Sequence, residues 1–144
     1  MTARWTDRHI PTVLARLAWA QDGGFAPALR RARTDLPTFR ALAALRDAPQ
    51  PGETVTGLAD LCMLQQPTMT KLLDRMAAAG LLARAPDARD RRVVRVALTV
   101  KGALLAEELT ALAEEHERRA LKSAPMLAGP ALPAALAVLT GREG

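Results

Sequence analysis

Between Asp87 and Arg95 the chain reads DARDRRVVR, two carboxylates interleaved with four guanidinium groups. What its groups do well is neutralise phosphate, each contact releasing condensed counterions. The run belongs to a longer basic stretch. Residues 66 to 101 hold Lys71, Arg75, Arg84, Arg89, Arg91, Arg92, Arg95 and Lys101 against Asp74, Asp87 and Asp90, and this carries the whole formal excess of +5. The rest of the chain balances its charges. A solvated surface mixes its signs; an excess confined to one stretch is the electrostatic footprint of a nucleic-acid contact.

The elements that must present these groups follow from periodicity. Met69, Leu72, Leu73 and Met76 fall at i, i+3, i+4, i+7, an apolar stripe that packs inward. Thr68, Lys71 and Arg75 then take the opposite face, with Thr70 and Asp74 on the flank. Pro67 suits the first turn of this helix, and Gly80 a left-handed stop. Val94, Val96 and Leu98 alternate with Arg95, Ala97 and Thr99, the period of a half-buried strand, and Pro86, Asp87 and Ala88 supply the turn of a two-stranded hairpin. Thr56 begins a short helix with Leu58, Leu61 and Cys62 inward. After a break at 64–66 it gives way to the basic helix, which makes a helix-turn-helix.

Upstream, Ile10, Val13, Leu14, Leu17 and Ala18 give a first helix over 7–22, which Gly23 and Gly24 interrupt; helicity resumes from Pro27 to Arg33. Thr34 or Asp35 caps a helix with Pro37 in its first turn and Phe39, Leu42 and Leu45 on one face. Thr54 and Val55 add a short strand edge. Downstream, a long helix from Lys101 to about Lys122 places Leu105, Leu109, Leu112, His116 and Arg119 on a seam at spacings of four and three. That is more than a small lobe can bury. A last helix carries Leu136, Val138 and Leu139. The fold class is therefore mainly α with a small β-hairpin, and the helices at both chain ends form a dimerisation layer.

Composition narrows the function. With 144 residues, 49% hydrophobic and 24% charged, the chain fits one globular domain. Its one cysteine forms no internal disulfide and points to a reducing compartment, the cytoplasm. The N-terminus shows no signal peptide, and no segment has the ~20 apolar residues of a membrane span. His9, His116 and one Cys make no metal cluster. No cofactor is expected either: there is no glycine-rich phosphate loop, no G-x-S-x-G elbow, and no His beside a nucleophile, so an enzyme is not expected.

Three features together resemble the MarR (multiple antibiotic resistance regulator) family of winged-helix transcription regulators. A recognition-helix ending of the Leu-x-x-x-Gly-Leu kind appears as Leu73-Asp74-Arg75-Met76-Ala77-Ala78-Ala79-Gly80-Leu81. The wing signature Asp-x-Arg-Asp-x-Arg is met by Asp87, Arg89, Asp90 and Arg92. Leu98-Thr99, followed by Lys101-Gly102, matches the exit from the wing. The match is clearest from Thr56 to Gly102. It implies a winged helix-turn-helix lobe over 34–102 and dimerisation helices over 1–33 and 103–144.

By this resemblance Arg89 enters a minor groove, where negative potential is enhanced, and Asp87 orients it. Asp90 and Arg92 brace the wing, and Arg91 and Arg95 meet phosphates. Gln66, Thr68, Thr70, Lys71 and Arg75 lie in the major groove, where Gln pairs with adenine and Arg with guanine, while Pro67 starts the helix beside backbone N–H groups that take a phosphate. The function implied is that of a sequence-specific, homodimeric repressor on an inverted-repeat operator, released by a small-molecule effector. Trp5, Arg16, Trp19 and Phe25 are candidates to line the effector cavity. Two alternatives stand beside it: a winged helix that binds only protein, which leaves the concentrated charge unexplained, and a thiol-based redox regulator using Cys62.

Overall fold

The computed structural model describes residues 4–141. Their order is α1 (Ile10–Arg31), α2 (Leu36–Arg46), β1 (Glu53–Thr54), α3 (Val55–Cys62), α4 (Gln66–Ala78), β2 (Leu82–Pro86), β3 (Val94–Leu98), α5 (Val100–Leu121) and α6 (Ala131–Leu139), with single 3-10 turns at Trp5–Asp7 and Pro125–Leu127. The chain forms two compact units, one running to Thr110 and one starting at Ala111. The boundary falls inside α5.

α1 does not break at Gly23 and Gly24. Each glycine costs a helix about 1 kcal/mol and an interior proline such as Pro27 about 3 kcal/mol. Tertiary packing offsets this. Phe25 and Leu29 are buried, which contributes about 1.5–3 kcal/mol each. Phe25 also meets Phe39 edge-on at 5.2 Å, and Asp22 pairs with Arg40 at 2.7 Å. The break expected from local propensity is thus overridden by what the next helix supplies.

The core of the first unit lies where α2, α3 and α4 meet the sheet, with Leu29, Leu42, Leu58, Met69, Leu73, Met76, Val96 and Leu109 almost fully enclosed. Asp35 caps α2 by accepting the Thr38 amide at 2.9 Å, and Thr54 caps α3 by accepting the Gly57 amide at 3.0 Å. α3 ends at Met63, held left-handed at φ +57°, and α4 starts at Gln66 with Pro67 in its first turn. The inward face of α3 is Leu58, Ala59 and Cys62. Leu61, expected inside, is exposed, off the face that Leu58, Ala59 and Cys62 bury. All four apolar residues of the α4 stripe are buried.

The sheet has three antiparallel strands in the order β1-β3-β2; the short strand edge expected at Thr54 and Val55 falls at Glu53–Thr54, and Val55 already begins α3. Glu53 pairs with Val96, while β2 pairs with β3 from Leu82 opposite Leu98 to Pro86 opposite Val94. Pro86 closes the outer strand, where no partner needs its missing N–H, so the turn proper is residues 87–93. Val96 is buried and Val94 is exposed, since the hairpin outruns the helical body beyond β1.

The end of α4 is clamped by the start of α5. Gly80 stands at φ +73° as the left-handed stop, and the Leu81 amide returns to the Met76 carbonyl at 3.0 Å. Lys101 Nζ donates to the Ala79 carbonyl at 2.7 Å and Thr99 Oγ1 to the Gly80 carbonyl at 2.6 Å. A Cβ on Gly102 would stand 1.9 Å from the Leu81 carbonyl oxygen, so only glycine fits there.

In the second unit, Glu115 pairs with Arg118 and Arg119 along α5, and α6 leaves Val138 and Leu139 exposed. Among the described residues no helix is long and apolar enough to cross a membrane, and no group of three His, Cys, Asp or Glu is placed to hold a metal.

Candidate nucleic-acid interface

α4 presents Gln66, Pro67, Thr68, Thr70, Lys71 and Arg75 on its exposed side, the side opposite the buried stripe. They are not equally available. Gln66 Nε2 donates to Thr56 Oγ1 on α3 at 3.1 Å, which fixes the amide at the head of the helix. Thr70 Oγ1 donates back to the Gln66 carbonyl at 3.0 Å. Arg75 Nη2 reaches Asp35 at 3.0 Å and Thr38 Oγ1 at 3.3 Å, tying α4 to the cap of α2. Burial pushes the Asp35 carboxyl up, but its hydrogen bonds with Thr38 and the Arg75 charge outweigh this and hold it below the usual carboxylate range. Thr68 and Lys71 face outward.

At the wing one carboxylate organises the tip. Asp87 Oδ1 accepts the backbone amides of Arg89 at 2.8 Å and Asp90 at 3.1 Å, and Oδ2 accepts Arg95 Nε at 2.6 Å. The Arg95 bond and the two amides depress its pKa from 3.8 to about 2. Asp87 was expected to orient the guanidinium of Arg89. It orients that residue's backbone instead, since its second oxygen is taken by Arg95. Arg95, expected on phosphate, lies half-buried, its Nη1 also directed at the Gly52 carbonyl at 3.4 Å. Asp90 grips Arg92 through both oxygens at 3.0 Å. Arg89 and Arg91 are exposed at the tip.

Three partners escaped the sequence reading. Arg84 on β2 pairs with Asp74 at 2.7 Å and ties the wing to α4; its spacing from Asp74 carries no signal before the strand is placed. Asp35 was legible as a cap but not as the partner of Arg75, and Thr56 gave no sign of holding Gln66. Of the eight cations between 66 and 101, five are engaged inside the protein. The side chains of Lys71, Arg89 and Arg91 have no hydrogen-bond or ion-pair partner among the described residues.

Of the candidate effector residues only Arg16 and Trp19 share a hollow. Phe25 is core, packed on Phe39. Arg16 and the exposed Trp19 share a shallow hollow along α1 with Pro11, Thr12 and Ala15, and Trp5 stacks on His9 at 4.1 Å. A different hollow of about 410 Å³ lies against α4, lined by Arg33, Thr34, Asp35, Arg75, Met76 and Leu105 among others. Cys62 is enclosed, and burial pushes its thiol pKa up despite the nearby Arg40 charge, which suppresses the reactive thiolate.

A short helix, a turn at residues 63–65, an exposed second helix and a three-stranded sheet with a protruding basic hairpin define a winged helix-turn-helix, a fold of DNA-binding regulators. The family model described as MarR family matches residues 34–93. A MarR family transcriptional regulator from Silicibacter pomeroyi DSS-3 superposes with a TM-score of 0.75 at 32% identity, covering 96% of each chain. BpsR of Bordetella bronchiseptica, whose DNA binding is regulated by 6-hydroxynicotinic acid, gives 0.72 at 25% identity over 99% of this chain and 96% of that one. MepR of S. aureus, solved as a DNA complex, gives 0.70 at 22% identity over 90% and 92%, a likeness of fold. No curated protein matches the sequence. The chain belongs to the MarR family, whose members are transcription regulators and not enzymes.

Proposed function

We propose that the protein is a homodimeric, cytoplasmic repressor that binds an inverted-repeat operator and leaves it when a small molecule binds. α4 lies in the major groove with Gln66, Thr68 and Lys71 toward base edges and phosphates, and the wing sends Arg89 into the adjoining minor groove while Arg91 meets phosphate. Arg75, Asp87, Asp90, Arg92 and Arg95 hold these elements in place. One observation carries the reading: the three cations with no internal partner, Lys71, Arg89 and Arg91, stand on the exposed face of α4 and the tip of the wing. A winged helix that binds only protein gives no reason for this distribution.

Dimerisation is supported by apolar surface that each unit leaves uncovered: Ile10, Val13, Leu17 and Trp19 on α1, and separately Val138 and Leu139 on α6. A second copy covers such faces with two-fold symmetry. The effector is supported by the ligand-regulated relative BpsR and by the hollow beside Arg75, whose lining includes Thr34 and Asp35. A ligand there competes with Asp35 for Arg75 and so acts on α4. The enclosed Cys62 favours this over a thiol switch.

Selection of bound sequences from random duplex DNA, followed by footprinting, tests the reading. The expected result is an inverted repeat with half-site centres about 10 base pairs apart. Protection of one unrepeated half-site, whatever the spacing, overturns the dimeric docking.

A further inference from the structure

Arg95 differs from the other wing arginines. Its Nε meets Asp87 Oδ2 at 2.6 Å and its Nη1 points to the Gly52 carbonyl at 3.4 Å, so one guanidinium spans from the wing tip to the loop that precedes β1. The other oxygen of Asp87 holds the Arg89 amide at 2.8 Å. The loop end is itself fixed. Gly52 stands at φ +115° with its amide on the Pro49 carbonyl at 2.8 Å, and a Cβ there would stand 2.2 Å from the Val96 carbonyl oxygen. Only glycine lets this backbone lie against β3, next to Arg95. The relay therefore runs from Gly52 through Arg95 and Asp87 to the backbone of Arg89.

We propose that Arg95 is a positioning residue for DNA recognition: it anchors the wing tip to the Gly52 loop so that Arg89 leaves the tip in one fixed direction, and it makes no phosphate contact of its own. The proposal rests on the reading of Arg89 as the residue that enters the minor groove. An Arg on a free hairpin tip pays the entropy of finding that groove at every encounter; a tip held by a charge-assisted bond on one side and two amide bonds on the other arrives preset.

The test uses the full chain and two probes, poly(dA)·poly(dT), with its narrow minor groove, and poly(dG)·poly(dC), each titrated over a range of NaCl concentrations. Arg89→Ala is expected to lose most of the preference for the A-tract, about ten-fold, the size of one good groove contact. Arg95→Lys is the deciding variant. Lysine keeps the strand and the charge, but a single ammonium does not hold Asp87 and the Gly52 carbonyl together. The A-tract preference is expected to fall several-fold while the salt slope stays that of the unaltered protein. Arg95→Ala is expected to lose as much preference as Arg89→Ala, and the double variant no more than either, because both remove one device.

In the protein without DNA, the Arg89 and Asp90 amides are expected to exchange faster in both Arg95 variants. Full retention of the A-tract preference by Arg95→Lys, or a salt slope reduced by about 0.9 per protomer in Arg95→Ala, marks a phosphate contact and overturns the proposal. An Arg89→Ala variant that keeps its preference overturns the groove reading itself, and this proposal falls with it.

Discussion

The division of the basic stretch into braces and free cations fixes a number that titration with salt can read. If only Lys71, Arg89 and Arg91 meet phosphate or groove, a dimer makes six cationic contacts. At about −0.9 per contact, the slope of log K against log salt is about −5, and affinity falls about a thousand-fold between 50 and 200 mM NaCl. If all eight cations of residues 66–101 engaged in each protomer, the slope would be about −14 and binding would be lost over the same range. Fluorescence anisotropy with a labelled duplex taken from the selection separates these outcomes. Lys71→Ala should reduce the slope by nearly two units, one contact in each protomer, and Arg75→Ala should leave it unchanged, because that guanidinium is held by Asp35. A slope steeper than about −9, or an Arg75→Ala variant that lowers it as much as Lys71→Ala, refutes the division.

Two further outcomes follow from local geometry. Gly102→Ala puts a Cβ 1.9 Å from the Leu81 carbonyl oxygen, and the resulting overpacking should destabilise the protein by about 1–3 kcal/mol in chemical denaturation, despite alanine's better helix propensity. Asp87 has a folded-state pKa of about 2 against an ordinary 3.8. A depressed carboxylate stabilises the fold above its unfolded pKa and loses that contribution as pH falls toward the folded one. Protection of the wing-tip amides relative to intrinsic exchange should therefore fall between about pH 4 and pH 2, and Asp87→Asn should abolish that pH dependence.

The parts legible in the sequence were those set by short-range periodicity and capping. The stripe of Met69, Leu72, Leu73 and Met76 read correctly because every position on one face of α4 is apolar, and Gly80 read as a stop because the left-handed conformation favours glycine. What failed depended on distant partners. α1 passes Gly23, Gly24 and Pro27 only because Phe39 and Arg40 of the following helix meet Phe25 and Asp22. At the site, residue types and spacing located the wing but not the use of each arginine. Arg75, Arg84 and Arg95 are alike in sequence to Arg89 and Arg91, and only the positions of Asp35, Asp74 and Asp87 in space distinguish paired from unpaired side chains.

At the end of the recognition helix the carbonyls of Ala79 and Gly80 are occupied by Lys101 and Thr99, and that of Leu81 lies against the bare backbone of Gly102. This removes a degree of freedom. Turning α4 about its own axis would pull three consecutive peptide units away from the start of α5. On the proposed docking, a displacement applied along the root of α5 would reach α4 as a change of orientation rather than a local loosening.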